Sequence, residues 1–123
     1  MKFWIGDLCY HDASTGINSE QHIDNWAIML NSTDYFQNDG HYVIEGRRYG
    51  ATSTMYGDGT YFDMQNREYP VDAGIIGFIE YLEGDTAPFG MHLVEFDDVP
   101  EIISDDGVII ITSGNNKIVI DTA

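Results

Sequence analysis

The chain has 123 residues, which is room for one domain, and carries 21 Asp and Glu against 5 Lys and Arg, a formal net charge of -16. That charge sets it against direct contact with nucleic-acid phosphates or with an anionic membrane surface. Hydrophobic residues at 43% and aromatics at 13% are too abundant for a disordered acidic tail, so a single folded domain is expected over residues 1–123.

Taken in chain order, residues 3–5 (Phe-Trp-Ile) read as a first strand. Asp7 cuts this apolar run short of the roughly 7–15 apolar residues a secretory signal needs. Runs 73–79 and 108–111 fall far below the roughly 20 residues that span a bilayer. Cys9 is the one cysteine, so no intrachain disulfide can form, and a reducing, cytoplasmic setting is expected. One helix follows. Asn18 and Ser19 offer N-cap oxygens, Glu20 and Asp24 suit the positive end of the dipole, and Ile23, Trp26, Ala27 and Leu30 make an apolar stripe. Asn31-Ser32-Thr33-Asp34 should end it.

Beyond residue 40 the chain reads as strands, at 41–49, 51–56, 60–64, 74–82, 91–96, 108–112 and 117–121. They are separated by turn residues: Asn38-Asp39-Gly40, Gly57-Asp58-Gly59, Gln65-Asn66, Gly84-Asp85, Asp105-Asp106-Gly107 and Gly114-Asn115-Asn116. The last two runs flank Gly-Asn-Asn and predict a tight hairpin. The expected fold is mainly β, α+β by virtue of one helix: a small antiparallel β-sandwich or barrel with a single packed N-terminal helix.

The acidic charge has two readings. Glu95, Asp97, Asp98, Glu101, Asp105 and Asp106 fall within twelve residues with no base among them, as a mimic of duplex phosphates would require. Alternatively the acids are turn chemistry and a solvated surface, since Asp7, Asp39, Asp58, Asp85 and Asp106 each adjoin a glycine.

Two stretches are candidates for a ligand site. Arg47 and Arg48, followed by Tyr49, could present one guanidinium to a phosphate while a tyrosine stacks on a base; pairing with Glu45 or Glu68 is the structural alternative. Tyr56-Gly57-Asp58-Gly59-Thr60-Tyr61 can form a sharp turn whose amides converge on an anion or carbonyl. Downstream, Val71-Asp72-Ala73-Gly74-Ile75-Ile76-Gly77 is small enough for close approach by a ligand or another backbone. The proposed ligand-binding set is Arg47, Arg48, Tyr49, Tyr56, Asp58, Tyr61 and Asp72.

Enzyme signatures are weaker. None of His11, His22, His41 and His92 has Ser or Thr two residues on, and no Gly-x-Ser-x-Gly elbow occurs. Cys9, His11 and Asp12 lack a fourth metal ligand, and the acids at 97–106 do not fit an EF-hand loop. No cofactor and no metal are expected. A carboxylate pair assembled across the fold stays open.

Three pieces, taken in order, carry a resemblance: Phe3-Trp4-Ile5-Gly6-Asp7-Leu8-Cys9-Tyr10, Tyr56-Gly57-Asp58-Gly59-Thr60-Tyr61 and Tyr69-Pro70-Val71-Asp72-Ala73-Gly74-Ile75-Ile76-Gly77. Together they resemble a family of small phage and bacterial proteins with no established activity, covering residues 3–82 in patches. Its opening reads Ile-Gly-Asp-Pro-Cys-Tyr, whereas Leu8 stands in the proline's place here. The resemblance implies a phage-type origin and transfers no functional residue. The expectation is a non-enzymatic protein that counters host defence by sequestering a nucleotide-type immune signal, such as a cyclic nucleotide or an ADP-ribose derivative, in a pocket completed by a homo-oligomer. The alternative is an acidic DNA mimic that inhibits a host nuclease, restriction or CRISPR enzyme; a nucleotide hydrolase is the third reading.

Overall fold

A computed structural model describes residues 1–11, 21–35 and 41–123, with side chains in the helix described from residue 27 onward. Among the described residues ten strands form two five-stranded sheets, and every pairing is antiparallel. The first sheet contains β1 (Lys2–Gly6), β2 (Tyr42–Ile44), β3 (Arg47–Ser53), β6 (Ile75–Glu80) and β7 (His92–Glu95), in the order β2-β3-β6-β1-β7. The second contains β4 (Gly59–Asp63), β5 (Glu68–Val71), β8 (Glu101–Asp105), β9 (Val108–Ser113) and β10 (Asn116–Asp121), in the order β5-β4-β10-β9-β8. A short 3-10 turn, Leu8–Tyr10, follows β1, and helix α1 spans Gln21–Ser32. No helix among the described residues is long and apolar enough to cross a membrane.

The sequence is a sandwich in its alternation. On β1, Phe3 and Ile5 face the second sheet, where they meet Ile109, Ile111, Ile118 and Ile120 in one apolar cluster. Trp4 faces the other way, into a second cluster with Tyr49, Ile79 and Met29 of α1. β6 splits the same way, Ile76 and Phe78 inward and Ile75 and Ile79 toward the helix. The first sheet is thus covered on both faces, which is why β6 reads as a continuous apolar run. Gly77 lets β3 and β6 close up, because a Cβ there would collide with the Gly50 carbonyl and Ala51.

The helix stops where expected. The Tyr35 amide donates to the Leu30 carbonyl at 2.7 Å, and Asp34 takes a left-handed φ of 50°, a Schellman-type end. Of its expected stripe Leu30 packs on the core and Ala27 is exposed, while Met29, outside that stripe, is fully buried. The Asn18 and Ser19 caps, Asn38-Asp39-Gly40 and the side chains of Ile23 and Trp26 lie outside the described residues.

Two strand expectations, 41–49 and 51–56, are corrected. Run 41–49 is broken by Glu45-Gly46, which take φ of 48° and 76° and turn β2 into β3 as a two-residue hairpin. β3 then continues through Gly50 and ends at Ser53, so Met55 and Tyr56 belong to a loop. Two strands were not expected. β5 is an edge strand, where Pro70 is tolerated because an edge position need not donate. β8 lies inside the acidic stretch, with Ile102 turned to the core and Glu101, Ile103 and Asp105 turned outward.

Candidate functional site

Three segments, residues 7–10, 57–61 and 71–74, meet at one end of the sandwich. Asp7 is fully buried and joins the first of them to the third. Its Oδ1 accepts the Cys9 amide at 3.0 Å, and its Oδ2 accepts the amides of Asp72 and Ala73 at 2.8 and 2.7 Å. The Tyr10 hydroxyl donates to the Asp72 carboxylate at 2.6 Å, and its ring packs edge-on against Phe89. The Gly57 carbonyl accepts the hydroxyls of Thr54 and Tyr61 at 2.6 and 2.9 Å. Thr54 also donates its amide to the Gly74 carbonyl at 2.9 Å. A Cβ built on Gly74 (φ 69°) lies 3.7 Å from the Gly57 Cα, so the two glycine turns sit side by side.

Neither Cys9 nor Tyr10 is an activated nucleophile here. Burial pushes the Cys9 thiol up, and the Asp7 and Asp72 carboxylates add to the effect, so it stays protonated. Desolvation and its bond to Asp72 likewise push the Tyr10 phenol up, leaving it a donor. What the end does present is aromatic surface beside carboxylates. Tyr56 and Phe89 are 72% and 70% exposed, and Asp58, Asp72, Asp105, Asp106 and Asp121 are all exposed. Pairing places these acids together: Asp105 and Asp121 both align with Val108, and Gly107 packs against Met55, next to Tyr56.

Every Lys and Arg belongs to the other half. Lys2 and Arg47 open β1 and β3, Arg48 follows, Arg67 closes the β4–β5 turn, and Lys117 stands near the start of β10. The expected ligand set is therefore divided. Tyr56, Asp58, Tyr61 and Asp72 come together at the acidic end, whereas Arg47 and Arg48 lie roughly 20 Å away, the length of β3. Tyr49 is fully buried in the helix-facing cluster and is core.

Arg47 is also engaged, with neither Glu45 nor Glu68. Its guanidinium grips Asp85 through two bonds of 2.6 and 2.8 Å and donates to the Glu80 carbonyl at 3.1 Å. Asp85 further accepts the Trp4 indole at 3.0 Å and the Leu82 amide at 3.1 Å, with buried His11 3.9 Å away. Burial alone would raise the Asp85 carboxyl, but Arg47 and Trp4 outweigh it and hold it down at about 2. Arg67 is spent in the same manner, with its Nε on the Asp63 carboxylate at 2.7 Å, where Tyr69 also donates. Arg48 remains exposed, its amide on the Glu80 carboxylate.

The sequence does not single out Asp85, Asp63 or Tyr10; it presents Asp7 as a turn residue, whereas its carboxylate ties the turn after β1 to Asp72-Ala73. The acidic stretch is split as well. Asp97 and Asp98 lie at the end opposite Asp105 and Asp106, where Asp98, Glu101 and Ser113 line an open depression of about 380 Å3. Set against protein-family models, curated proteins and solved structures, the chain matches none.

Proposed function

We propose that this is a non-enzymatic binding protein whose acidic end takes a cationic surface, acting as a substitute for nucleic-acid phosphates on a basic host enzyme such as a nuclease, restriction or CRISPR effector. The supporting observation is the separation of charge: Asp58, Asp72, Asp105, Asp106 and Asp121 share one end, and all five Lys and Arg lie in the other half. A field of one sign over such an end steers a positively charged cleft and competes with DNA for it. Neutral aromatic surface at Tyr56 and Phe89 supplies contact area, and cation–π pairing with the partner's Lys and Arg adds to it. The phage setting implied by the resemblance gives such an inhibitor a role in countering host defence.

A nucleotide-sequestering pocket would need a guanidinium beside Tyr56, and both arginines expected to supply one stand at the far end of β3. The deciding experiment is competition for DNA on a panel of basic nucleases. Replacing Asp58, Asp72, Asp105 and Asp106 with Asn should abolish inhibition, replacing Asp97 and Asp98 should leave it, and added salt should weaken it. Inhibition indifferent to the four replacements would refute the reading. A large thermal shift with a cyclic nucleotide or ADP-ribose derivative would restore the sequestering one.

A further inference from the structure

The two sheets are not treated alike. The outer face of the first is covered by α1, whereas nothing among the described residues covers the outer face of the second. An antiparallel face left to water ordinarily carries polar side chains. Here strand register aligns Ile103, Ile110 and Val119 side by side across β8, β9 and β10, all turned away from the core. Met64 extends this row, its amide on the Val119 carbonyl, and Phe62 stands one row over on β4. Ile103, Phe62 and Met64 are 47%, 48% and 78% exposed. β9 reads Val-Ile-Ile-Ile, the composition of a strand covered on both faces, although the described residues cover only one.

The charges around this band define what fits it. Asp105, Asp121 and Glu68 lie in the same register row as Val108 and Phe62, and Glu101 borders the opposite side; the bases nearby are Lys117 and Arg67, the latter paired with Asp63. A second copy laid face to face would set these carboxylates against their equivalents, a repulsive juxtaposition for a chain of charge -16. We infer that the outer face of the second sheet docks a basic protein surface whose centre is apolar, aliphatic or aromatic side chains set among Lys and Arg. The inference rests on the cationic-partner reading above and adds to it an uncharged contact that phosphate mimicry alone does not need.

Two synthetic peptides of equal length and charge test it, one alternating Lys with Leu and the other Lys with Ser. At about 0.15 M salt, the Lys–Leu peptide should bind about tenfold tighter or more, because only it buries apolar area on the band. Replacing Phe62, Met64 and Ile103 with Ser should erase that preference while leaving Lys–Ser binding unchanged. An unchanged thermal midpoint confirms folding, and Ile103→Ser alone serves if the triple variant is unstable. Equal binding of the two peptides, or a preference that survives the Ser replacements, overturns the inference. So does a sedimenting dimer that these replacements dissolve, since a second copy would then occupy the face. If replacing the acids with Asn weakens both peptides and the Ser replacements alter neither, the docking face falls and the cationic-partner reading stands. If neither peptide binds even at low salt, the cationic-partner reading falls and takes this inference with it.

Discussion

Asp85 gathers polar contacts from distant parts of the chain, because two nitrogens of Arg47, the Trp4 indole and the Leu82 amide all converge on one carboxylate. Its side chain is 12% exposed and that of Arg47 15%, so removing one partner leaves the other charge in poor solvent. Asp85→Ala should therefore cost about 3–5 kcal/mol in urea unfolding at neutral pH. The folded carboxyl sits at about 2 against an ordinary 3.8, so it binds its proton less readily folded than unfolded. The resulting stability, about 2 kcal/mol, is full above pH ~4 and disappears as pH falls toward ~2. Comparing unfolding of wild type and Asp85→Asn across that window should show the gap narrowing with acid. Asp7 makes a second test. Its carboxylate receives three backbone amides in a fully buried position, and Asp7→Asn would turn one donor group toward another. A loss of about 2–3 kcal/mol is expected. Cys9, whose thiol is held protonated, should react with thiol reagents far more slowly than a free cysteine at pH 8.

Turns decide which elements could be read in advance. The β9–β10 hairpin was legible because Gly114 (φ 57°) and Asn115 form a two-residue loop between paired Ser113 and Asn116. Asp106-Gly107, with φ of 48° and 84°, marks the β8–β9 turn equally well. Glu45-Gly46 uses the same left-handed pair, but Glu is a poor signal for it, and the break between β2 and β3 went unread. Glu45→Asn should accordingly raise stability by about 0.5–1 kcal/mol in a thermal melt, as Asn tolerates the conformation better. β8 was hidden for a different reason: a strand with one buried residue and carboxylates outward is hard to tell from an acidic loop. The candidate site was legible in its parts and not in its assembly. Glycine turns announced segments 57–59 and 72–74, while the separation of Arg47 from them follows from β3 running unbroken through Gly50. Its capture by Asp85, 38 residues on, has no local signature. Gly77 was flagged as permitting close approach, and the neighbour proves to be β3. Gly77→Ala should destabilise strongly, since it meets the Gly50 carbonyl and the Cα and Cβ of Ala51, none of which can swing aside.

For the molecule as a whole, charge has opposite consequences for folding and for binding. Self-repulsion at -16 opposes the compact state, so the melting temperature should rise as salt is added. Partner binding through the acidic end should weaken over the same range, and following both in one titration separates the two effects. The position of β1 matters on another axis, that of time. This strand lies between β6 and β7, pairing Phe3 with Glu80 and Lys2 with Glu95, whereas β8, β9 and β10 pair with their chain neighbours. During synthesis at about 5–20 residues per second, β1 waits roughly 4–20 s for both of its neighbours to emerge. Its Phe-Trp-Ile core is bare throughout that interval, open to a chaperone or to a stray strand edge. The C-terminal hairpins have no such delay, so refolding should begin in the second sheet and finish when β1 is enclosed in the first.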